Sequence, residues 1–233
     1  MRDILFSNIK NFRYERKFYI EGLTREEVET VLKCHPAIFK EIYHERTINN
    51  IYFDSLDLKN YFDNQNGVNK RLKIRIRWYG NTFGFIEKPR LEIKLKHNLH
   101  IGKLIYPLTP FSLDGNFSIN TIHEILKKSS FYQEVCGLYL MELDFSLFNT
   151  YTRKYFLSSN RQYRATIDTN MQAYKLLSYQ NNFMFKIKDP INTILEIKYN
   201  MLSDKTIDDI TTFFPFRITR SSKYIDGIRK VHM

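Results

Sequence analysis

Basic residues alternate with apolar residues along the segment KRLKIRIRW at positions 70–78. The odd-numbered positions of this segment carry Arg71, Lys73, Arg75 and Arg77. Successive side chains of a β-strand point to opposite faces, so the spacing predicts a strand with one apolar face and one face of cations. A row of like charges repels itself on an ordinary surface, whereas arginine and lysine side chains held side by side suit a chain of phosphates.

The same alternation recurs in four further segments, which are YERKF (14–18), LEIKLK (91–96), YRATID (163–168) and ILEIKY (194–199). For any one strand, a charged face is typical of a solvated sheet surface. Five such strands in one curled sheet would instead bring their charged faces together around an enclosed channel. The candidate cations of this channel are Lys17, Arg71, Lys73, Arg75, Arg77, Lys94, Lys96, Arg153, Arg164, Lys198, Arg220 and Lys223, and the candidate carboxylates are Glu15, Glu92, Asp168 and Glu196.

These charged faces need strands to position them and helices to cover the apolar faces. Alternation predicts strands at 12–20, 47–53, 70–79, 90–97, 101–108, 138–145, 148–157, 162–168, 183–187 and 193–200. Capping residues and apolar periodicity predict helices at about 24–34, 55–62, 120–128, 204–213 and 221–231. Many strands with a few helices between them predict an α+β protein with a closed or strongly curved antiparallel sheet, in a single domain over residues 1–233.

Composition narrows the class of protein. The chain has 233 residues, with 36 Lys+Arg against 25 Asp+Glu for a net charge of +11, and 43% hydrophobic residues exclude a disordered chain. No stretch approaches the ~18 apolar residues of a membrane-spanning helix, and two cysteines without CxxC spacing exclude a structural zinc site and favour a cytoplasmic location. The basic excess favours an anionic partner, which leaves nucleic acid, an acidic membrane surface and phosphate compounds.

The segments together resemble the VTC-type polyphosphate polymerase domain of the CYTH/triphosphate tunnel metalloenzyme superfamily. They are YERKF, IYFDS (51–55), KRLKIRIRWYG (70–80), LEIKLK, YTRKYF (151–156), YRATIDTN (163–170), LEIKY (195–199) and TRSSKY (219–224), in the order of the family. The resemblance implies a closed antiparallel eight-stranded β-barrel with helices packed outside. It implies a basic lumen that binds triphosphate or polyphosphate together with Mn²⁺ or Mg²⁺.

The resemblance also implies roles for single residues. It implies phosphate contacts for Lys17, Arg75, Arg77, Lys94, Arg153, Arg164 and Lys223, and metal binding for Glu196. Three positions depart from the family pattern. Arg13 stands where the hydrolase and cyclase branches carry a glutamate, which favours the VTC branch; Arg220 stands where a lysine is common, and Asn64 stands near the place of a further arginine.

We therefore expect a metal-dependent polymerase that transfers the γ-phosphate of ATP to inorganic polyphosphate. The expected catalytic residues are Arg75, Arg77, Arg153, Arg164 and Glu196, and Glu15 joins Glu196 at the metal. The expected phosphate-binding residues are Lys17, Arg71, Lys73, Lys94, Lys96, Lys198, Arg220 and Lys223. The alternatives are a hydrolase of tripolyphosphate or nucleoside triphosphate, a non-catalytic polyphosphate-binding module and, last, a nucleic-acid binder. The expected partners are ATP and polyphosphate, and no nucleic acid is expected. We expect no membrane span in this chain, so any association with a membrane would come through a membrane partner protein.

Overall fold

The computed structural model describes residues 13–97, 100–132, 137–200 and 206–232. The strands are β1 (Arg13–Ile20), β2 (Lys40–Asp54), β3 (Lys70–Tyr79), β4 (Gly84–Ile86), β5 (Arg90–His97), β6 (His100–Pro107), β7 (Phe111–Leu113), β8 (Asp144–Leu157), β9 (Arg164–Tyr174), β10 (Lys186–Asp189) and β11 (Thr193–Asn200). The helices are α1 (Arg25–Lys33), α2 (Lys59–Gln65), α3 (Ile119–Lys127), α4 (Gly137–Met141), α5 (Ile207–Thr211) and α6 (Lys223–His232). The fold is therefore α+β, as predicted.

Eight antiparallel strands follow one another in the sheet in the order β1-β11-β9-β8-β2-β3-β5-β6, and β10 adds to β9. The sheet is strongly curved, because Lys94 of β5 reaches Glu15 of β1 with Nζ 3.0 Å from Oε1. Within the described ranges no strand pairing joins the two ends, β1 and β6. The predicted closed barrel is therefore wrong, and the sheet is an open, curled one.

The free edge of β1 is occupied by another part of the chain. The amide of Thr219 donates to the carbonyl of Lys17 at 2.7 Å, and Phe18 forms a bridge with Ile218. The amide of Tyr19 donates to Oγ1 of Thr219 at 3.0 Å. An unpaired strand edge needs partners for its amides and carbonyls, and these contacts supply them where β6 would otherwise have to pair.

Alternation places the apolar side chains on the outer face of the sheet. Ile74, Ile76 and Trp78 of β3 are buried in an outer core covered by α3 and α4. Phe18, Leu195 and Ile197 belong to a second outer core, with Val28 and Leu32 of α1. The inner, concave face of the sheet is thereby left to the charged residues.

Two helices lie on the inner face, which corrects the prediction that all helices pack outside. Tyr224 of α6 stacks on Tyr52 of β2 with ring centres 4.8 Å apart, and Tyr61 of α2 belongs to the same buried cluster. Tyr52 and Leu147, which face each other across β2 and β8, make the inner face apolar at this end. The apolar sides of α2 and α6 therefore cover it.

The predicted strand at 138–145 is wrong. Helix α4 occupies Gly137–Met141, and β8 begins only at Asp144. Leu140 and Leu143 are buried in the outer core together with α3. A short apolar run does not separate a strand from a buried helical turn, and here packing against α3 decides in favour of the helix.

Several further predicted elements have different bounds in the structure. The predicted helix at 55–62 is α2 at Lys59–Gln65, the predicted strand at 47–53 is the longer β2, and the predicted strand at 162–168 continues in β9 to Tyr174. The predicted strand at 183–187 is β10 at Lys186–Asp189, and the predicted helix at 204–213 is the shorter α5, with 201–205 outside the described residues. The predicted strand at 148–157 begins earlier, at Asp144. No helix in the described ranges is long and apolar enough to cross a membrane.

Candidate functional site

The register brings charged side chains from seven strands together on the inner face, and Lys223 at the start of α6 joins them. They form ion pairs with one another, with four carboxylates lying among eight cations. We call this set the inner charge cluster. Its members are Lys17, Arg75, Arg77, Lys94, Lys103, Arg153, Lys198 and Lys223, with Glu15, Glu92, Asp168 and Glu196.

Glu92 holds three cations at one side of the inner charge cluster. It lies directly opposite Arg75 in the β3–β5 pairing, and Arg75 donates to its Oε2 from Nη2 at 2.7 Å and from Nε at 2.9 Å. Arg77 lies 3.6 Å from the same oxygen, and Lys103 Nζ lies 2.5 Å from Oε1. Burial would raise the pKa of Glu92, but the three cations outweigh it and hold that pKa well below its usual range. Glu92 is therefore a buried anion that orders two arginines.

Both arginines have second partners that fix their orientation. Arg75 donates from Nη1 to the hydroxyl of Tyr52 at 3.0 Å. Arg77 donates from Nε to Asn50 Oδ1 at 2.8 Å and from Nη2 to the hydroxyl of Tyr151 at 3.2 Å. An arginine whose planar fork is held by several partners is preorganised to bind the oxygens of an anion.

Arg153 and Asp168 form a buried two-point pair across β8 and β9. Their hydrogen bonds measure 2.5 Å from Nε to Oδ1 and 2.6 Å from Nη2 to Oδ2. Lys223, at the start of α6, lies 2.5 Å from Asp168 Oδ2 and 4.8 Å from the centre of the Tyr151 ring. Burial alone would raise the pKa of Asp168, and the attraction of Arg153 and Lys223 lowers it. Helix α6 is thereby tied to the inner charge cluster.

Glu15 and Glu196 form the acidic side of the inner charge cluster. Lys17 lies 3.4 Å from Glu15 and 3.6 Å from Glu196, and Lys198 lies 3.2 Å from Glu196. Burial raises the pKa of both carboxyls, but these lysines and Lys94 outweigh it, so both pKa values are lowered. The two groups are charged neighbours held together by cations.

The donor set of this pair fits a divalent ion with oxygen ligands. Mg²⁺ and similar ions are usually held by one or two carboxylates, with substrate phosphates and water completing the shell. Glu15 and Glu196 are such a pair, since Lys17 Nζ lies within 3.6 Å of an oxygen of each. Among the described residues no group of three or more His, Cys, Asp or Glu converges as a ready-made metal site.

Lys73 differs from its neighbours because no carboxylate pairs with it in the part of the chain that the structure describes. Its Nζ donates to Oγ of Ser222 at 2.9 Å. Burial and the nearby Lys17 and Lys94 lower the pKa of Lys73 well below its usual range. Lys73 lines a cavity of about 780 Å³ beside β1, β3 and β5. The cavity therefore holds a lysine whose charged form is disfavoured by its surroundings and would be favoured by an anion that enters.

All of the predicted site residues except Arg164 fall into two groups. The inner charge cluster contains Lys17, Arg75, Arg77, Lys94, Arg153, Lys198 and Lys223, with the predicted carboxylates Glu15 and Glu196. Lys73, Arg71, Lys96 and Arg220 line the adjoining cavity, and Arg220 is exposed there. Arg164 lies on the inner face opposite Lys198, but it is the first residue of β9 and is exposed. The structure therefore does not bring Arg164 into the cluster.

Lys103 is a member of the cluster that the alternation does not reveal. It lies on β6 opposite Lys94, and its neighbours on the same face are Ile101 and Ile105. One cation between two isoleucines does not make a charged face in the sequence. Lys103 is therefore identified as a cluster member only by the pairing of β6 with β5. Tyr52, Asn50 and Tyr151 are likewise recognisable only from the arginines that they orient.

Comparisons with known proteins agree with this architecture. Residues 12–232 match the family described as VTC domain, while no curated protein matches the chain. The PH1819 protein of Pyrococcus horikoshii OT3 aligns with a TM-score of 0.52 and 12% identity, over 94% of this chain and 99% of that chain. A putative adenylate cyclase of Vibrio parahaemolyticus aligns with a TM-score of 0.51 and 9% identity, over 95% of this chain and 99% of that chain.

A third structure is that of a Hippeastrum protein, described as the putative adenylyl cyclase HpAC1 with a dominant triphosphatase activity. It aligns with a TM-score of 0.50 and 12% identity, over 94% of this chain and 98% of that chain. At such identities these likenesses show a shared fold.

Proposed function

Because the chain belongs to the VTC domain family, as its resemblance predicted, we propose that it is a metal-dependent polyphosphate polymerase. It transfers the γ-phosphate of ATP to a growing inorganic polyphosphate chain within the space that the curled sheet encloses, which we call the bore. The observation that carries the proposal is the inner charge cluster, in which eight cations surround four carboxylates. The excess of positive charge, on a face where every cation of the cluster except Lys103 is buried or half-buried, matches a chain of phosphates.

Phosphoryl transfer requires positioning and charge neutralisation more than a covalent nucleophile. Arg75, Arg77 and Arg153 hold the β- and γ-phosphates, and Lys17, Lys94, Lys198 and Lys223 hold the neighbouring phosphates of the nucleotide or the chain. Arg164 and Arg220, which are exposed, meet the phosphates at the rim. The side chains that already orient the arginines reduce the reorganisation needed when the phosphates bind.

The reaction is an in-line substitution at the γ-phosphorus. A terminal oxygen of the polyphosphate chain donates its electron pair to that phosphorus, and the bond to the β,γ-bridging oxygen breaks. The electron pair of that bond leaves with ADP, and the chain is one phosphate longer. The terminal oxygen is already ionised near neutral pH, so a strong general base is not required.

Glu196, with Glu15 beside it, would hold Mn²⁺ or Mg²⁺ together with phosphate oxygens, and such an ion neutralises charge on those oxygens. Both carboxylates are charged, since their pKa values are lowered, and each therefore retains lone pairs for a cation. The lysines around them limit how strongly an ion binds before the phosphates arrive.

A second candidate function is hydrolysis of tripolyphosphate or a nucleoside triphosphate with water as the acceptor. The fold likeness to the Hippeastrum protein described as having triphosphatase activity supports it. The same arginines would hold the phosphates, so only the acceptor differs. Sequence favours the polymerase, because Arg13 replaces a glutamate of the hydrolase and cyclase branches.

The decisive experiment is to incubate the purified chain with ATP, Mn²⁺ and a short polyphosphate primer and to resolve the products by length. A ladder of lengthening chains supports the polymerase, and orthophosphate alone supports the hydrolase. Binding of tripolyphosphate without any turnover would overturn both and leave a binding module.

Two variants test the site. Arg75→Ala should lower the rate by about 100-fold or more, as expected when a preorganised donor is removed from a transition state. Glu196→Gln should also lower the metal-dependent rate, yet it should leave tripolyphosphate binding intact or tighter because it removes a negative charge. The matched control is Arg25→Ala, since Arg25 pairs with Glu26 and Glu45 on an exposed surface. Near-normal rates in folded Arg75→Ala and Glu196→Gln proteins would contradict the assignment.

A further inference from the structure

Three tyrosines surround one arginine at one end of the bore. The guanidinium carbon of Arg46 lies 5.1 Å from the ring centre of Tyr43, 5.7 Å from that of Tyr155 and 5.8 Å from that of Tyr79. The rings of Tyr43 and Tyr155 meet edge to face with centres 5.7 Å apart. We call these four residues the tyrosine mouth.

The tyrosine mouth continues the inner face directly beyond the inner charge cluster. Tyr79 follows Arg77 by two residues on β3, and Tyr155 follows Arg153 by two residues on β8. Arg46 of β2 lies opposite Arg153 in the pairing of β2 with β8. Two residues of a strand span about 7 Å, so the mouth lies one strand repeat from the arginines of the cluster.

The solvent exposure of Tyr43 and Tyr79 is not explained by packing in a hydrophobic core. Tyr43 is 54% exposed and Tyr79 is 42% exposed, whereas Trp78, next to Tyr79 on the opposite face, is buried in the outer core. Arg46 is exposed too, and across the described ranges it forms no ion pair with a carboxylate. The side chains of Arg46, Tyr43 and Tyr79 are therefore accessible to solvent at the edge of a cationic site, with Arg46 over one face of each ring.

We propose that the tyrosine mouth binds the base of the nucleoside triphosphate, an inference that rests on the proposed function. Bases stack on aromatic faces and on the planes of arginine guanidinium groups. The uncharged base lies on the open faces of Tyr43 and Tyr79 while the phosphates extend inward to Arg77 and Arg153. The neutral and the anionic ends of one nucleotide thus meet the aromatic and the cationic parts of one face.

Stacking also sets the expected specificity. Every base has a π-face, and stacking without hydrogen-bond readout discriminates weakly between bases. The mouth is built from rings and one guanidinium, so adenine and guanine nucleotides should bind with similar affinity. Inorganic tripolyphosphate has no base, so its affinity should not depend on the tyrosines of the mouth.

Isothermal titration calorimetry of the full chain with ATP, GTP and tripolyphosphate tests the inference. Tyr79→Ala and the double variant Tyr43→Ala with Tyr79→Ala should raise the dissociation constants of ATP and GTP by about 5- to 100-fold, the range found for loss of a base-stacking ring. The dissociation constant of tripolyphosphate should stay within about twofold, which also shows that the variants remain folded. Tyr79→Phe keeps the ring and should bind ATP normally.

The matched control is Tyr179→Ala, because Tyr179 is a tyrosine of similar exposure, 59%, outside the mouth. Unchanged ATP affinity in the double variant would overturn the inference and leave the proposed function standing. An equal loss of ATP and tripolyphosphate affinity would also overturn it, because the mouth would then act on phosphates. If the unmodified chain binds neither ligand, the proposed function and this inference fail together.

Discussion

The lysines of the inner face differ in how far their charge is balanced. Lys17 faces Glu15 and Glu196, whose attraction outweighs burial and raises its pKa. Lys103 faces a carboxylate that two arginines already neutralise, and burial together with Arg75 lowers the pKa of Lys103 to about 8 in spite of Glu92. Lys103 is therefore the cation of the cluster that loses its proton close to physiological pH.

Affinity for tripolyphosphate should accordingly fall as pH rises from 7 to 9. Lys103 is largely charged below its pKa of about 8 and largely neutral above it, so the inner face loses a positive charge over this interval. Ionisation of the ligand itself is common to every variant, so a comparison between variants isolates the part due to Lys103. Loss of one nearby positive charge should weaken binding by about three- to tenfold. Titration calorimetry at several pH values measures this slope.

Lys103→Arg should make that slope shallower, because guanidinium stays protonated throughout this range. The lowered pKa of Lys73 leaves a residual dependence in the variant. Lys128→Arg, on an exposed surface at the end of α3, is the control and should keep the full slope. A Lys103→Arg protein with an unchanged slope would show that Lys103 does not contact the anion.

At the residue scale, alternation in the sequence predicts most of the inner charge cluster. It works for Arg75, Arg77 and Lys94, because a two-residue period fixes the face and the register then brings the faces together. It does not show how far along the strand a residue lies, so Arg164 is correctly placed on the inner face yet is exposed at the strand end. The site roles themselves stay predictions until the variants are assayed.

At the scale of elements, α6 depends on one residue without a side chain. A Cβ atom added to Gly227 would lie 2.4 Å from Cδ2, 3.1 Å from Cδ1 and 3.3 Å from Cγ of Leu147. Leu147 is fully buried between Tyr52 and the helix, so it has little room to move. Gly227 thus permits α6 to approach the inner face closely.

Gly227→Ala should destabilise the protein. Alanine gains about 1 kcal/mol in helix propensity over glycine, but overpacking a buried contact costs about 1–3 kcal/mol. Leu147 must shift to admit the added Cβ, and because it is fully buried it has little room to do so, so the cost exceeds the gain. Urea unfolding should show a net loss of up to about 2 kcal/mol.

Gly115→Ala supplies the comparison, because a Cβ there would meet only the carbonyl oxygen of Asn181 at an ordinary 3.6 Å. Its stability should change by no more than about 0.5 kcal/mol. Gly227→Ala with unchanged stability would mean that α6 is not closely packed on Leu147.

The sequence predicts that α6 is a helix, but it does not predict where α6 packs on the sheet. Its apolar periodicity predicts the helix, which the structure confirms at Lys223–His232. Periodicity does not say which face of the sheet receives a helix, since both Tyr52 and Ile51 offer apolar contacts on opposite faces of β2. The pairing of Tyr224 with Asp54, whose pKa burial raises, belongs to tertiary packing that no local pattern contains.

At the scale of the whole molecule, the charge of +11 is distributed unevenly between outside and inside. The sheet places its apolar side chains under the outer helices and concentrates cations within the bore. Sequence predicts this division, because it follows from alternation. It does not predict whether the two end strands of the sheet, β1 and β6, pair with each other, since the competing segment around Thr219 is irregular and lies 200 residues from Tyr19. The single domain and the cytoplasmic location stay predictions.

An anion that enters the bore should therefore stabilise the whole fold. At 100 times its dissociation constant, a ligand that binds only the native state adds about 2.7 kcal/mol, which corresponds to about 5–10 °C in Tm for a chain of this size. Tripolyphosphate should produce this shift in a thermal melt at physiological salt. Duplex DNA at the same phosphate concentration should produce little, because a duplex is too wide to reach cations enclosed by the sheet. An equal shift with DNA would place the effective cations on the outer surface and contradict both the bore and the proposed substrate.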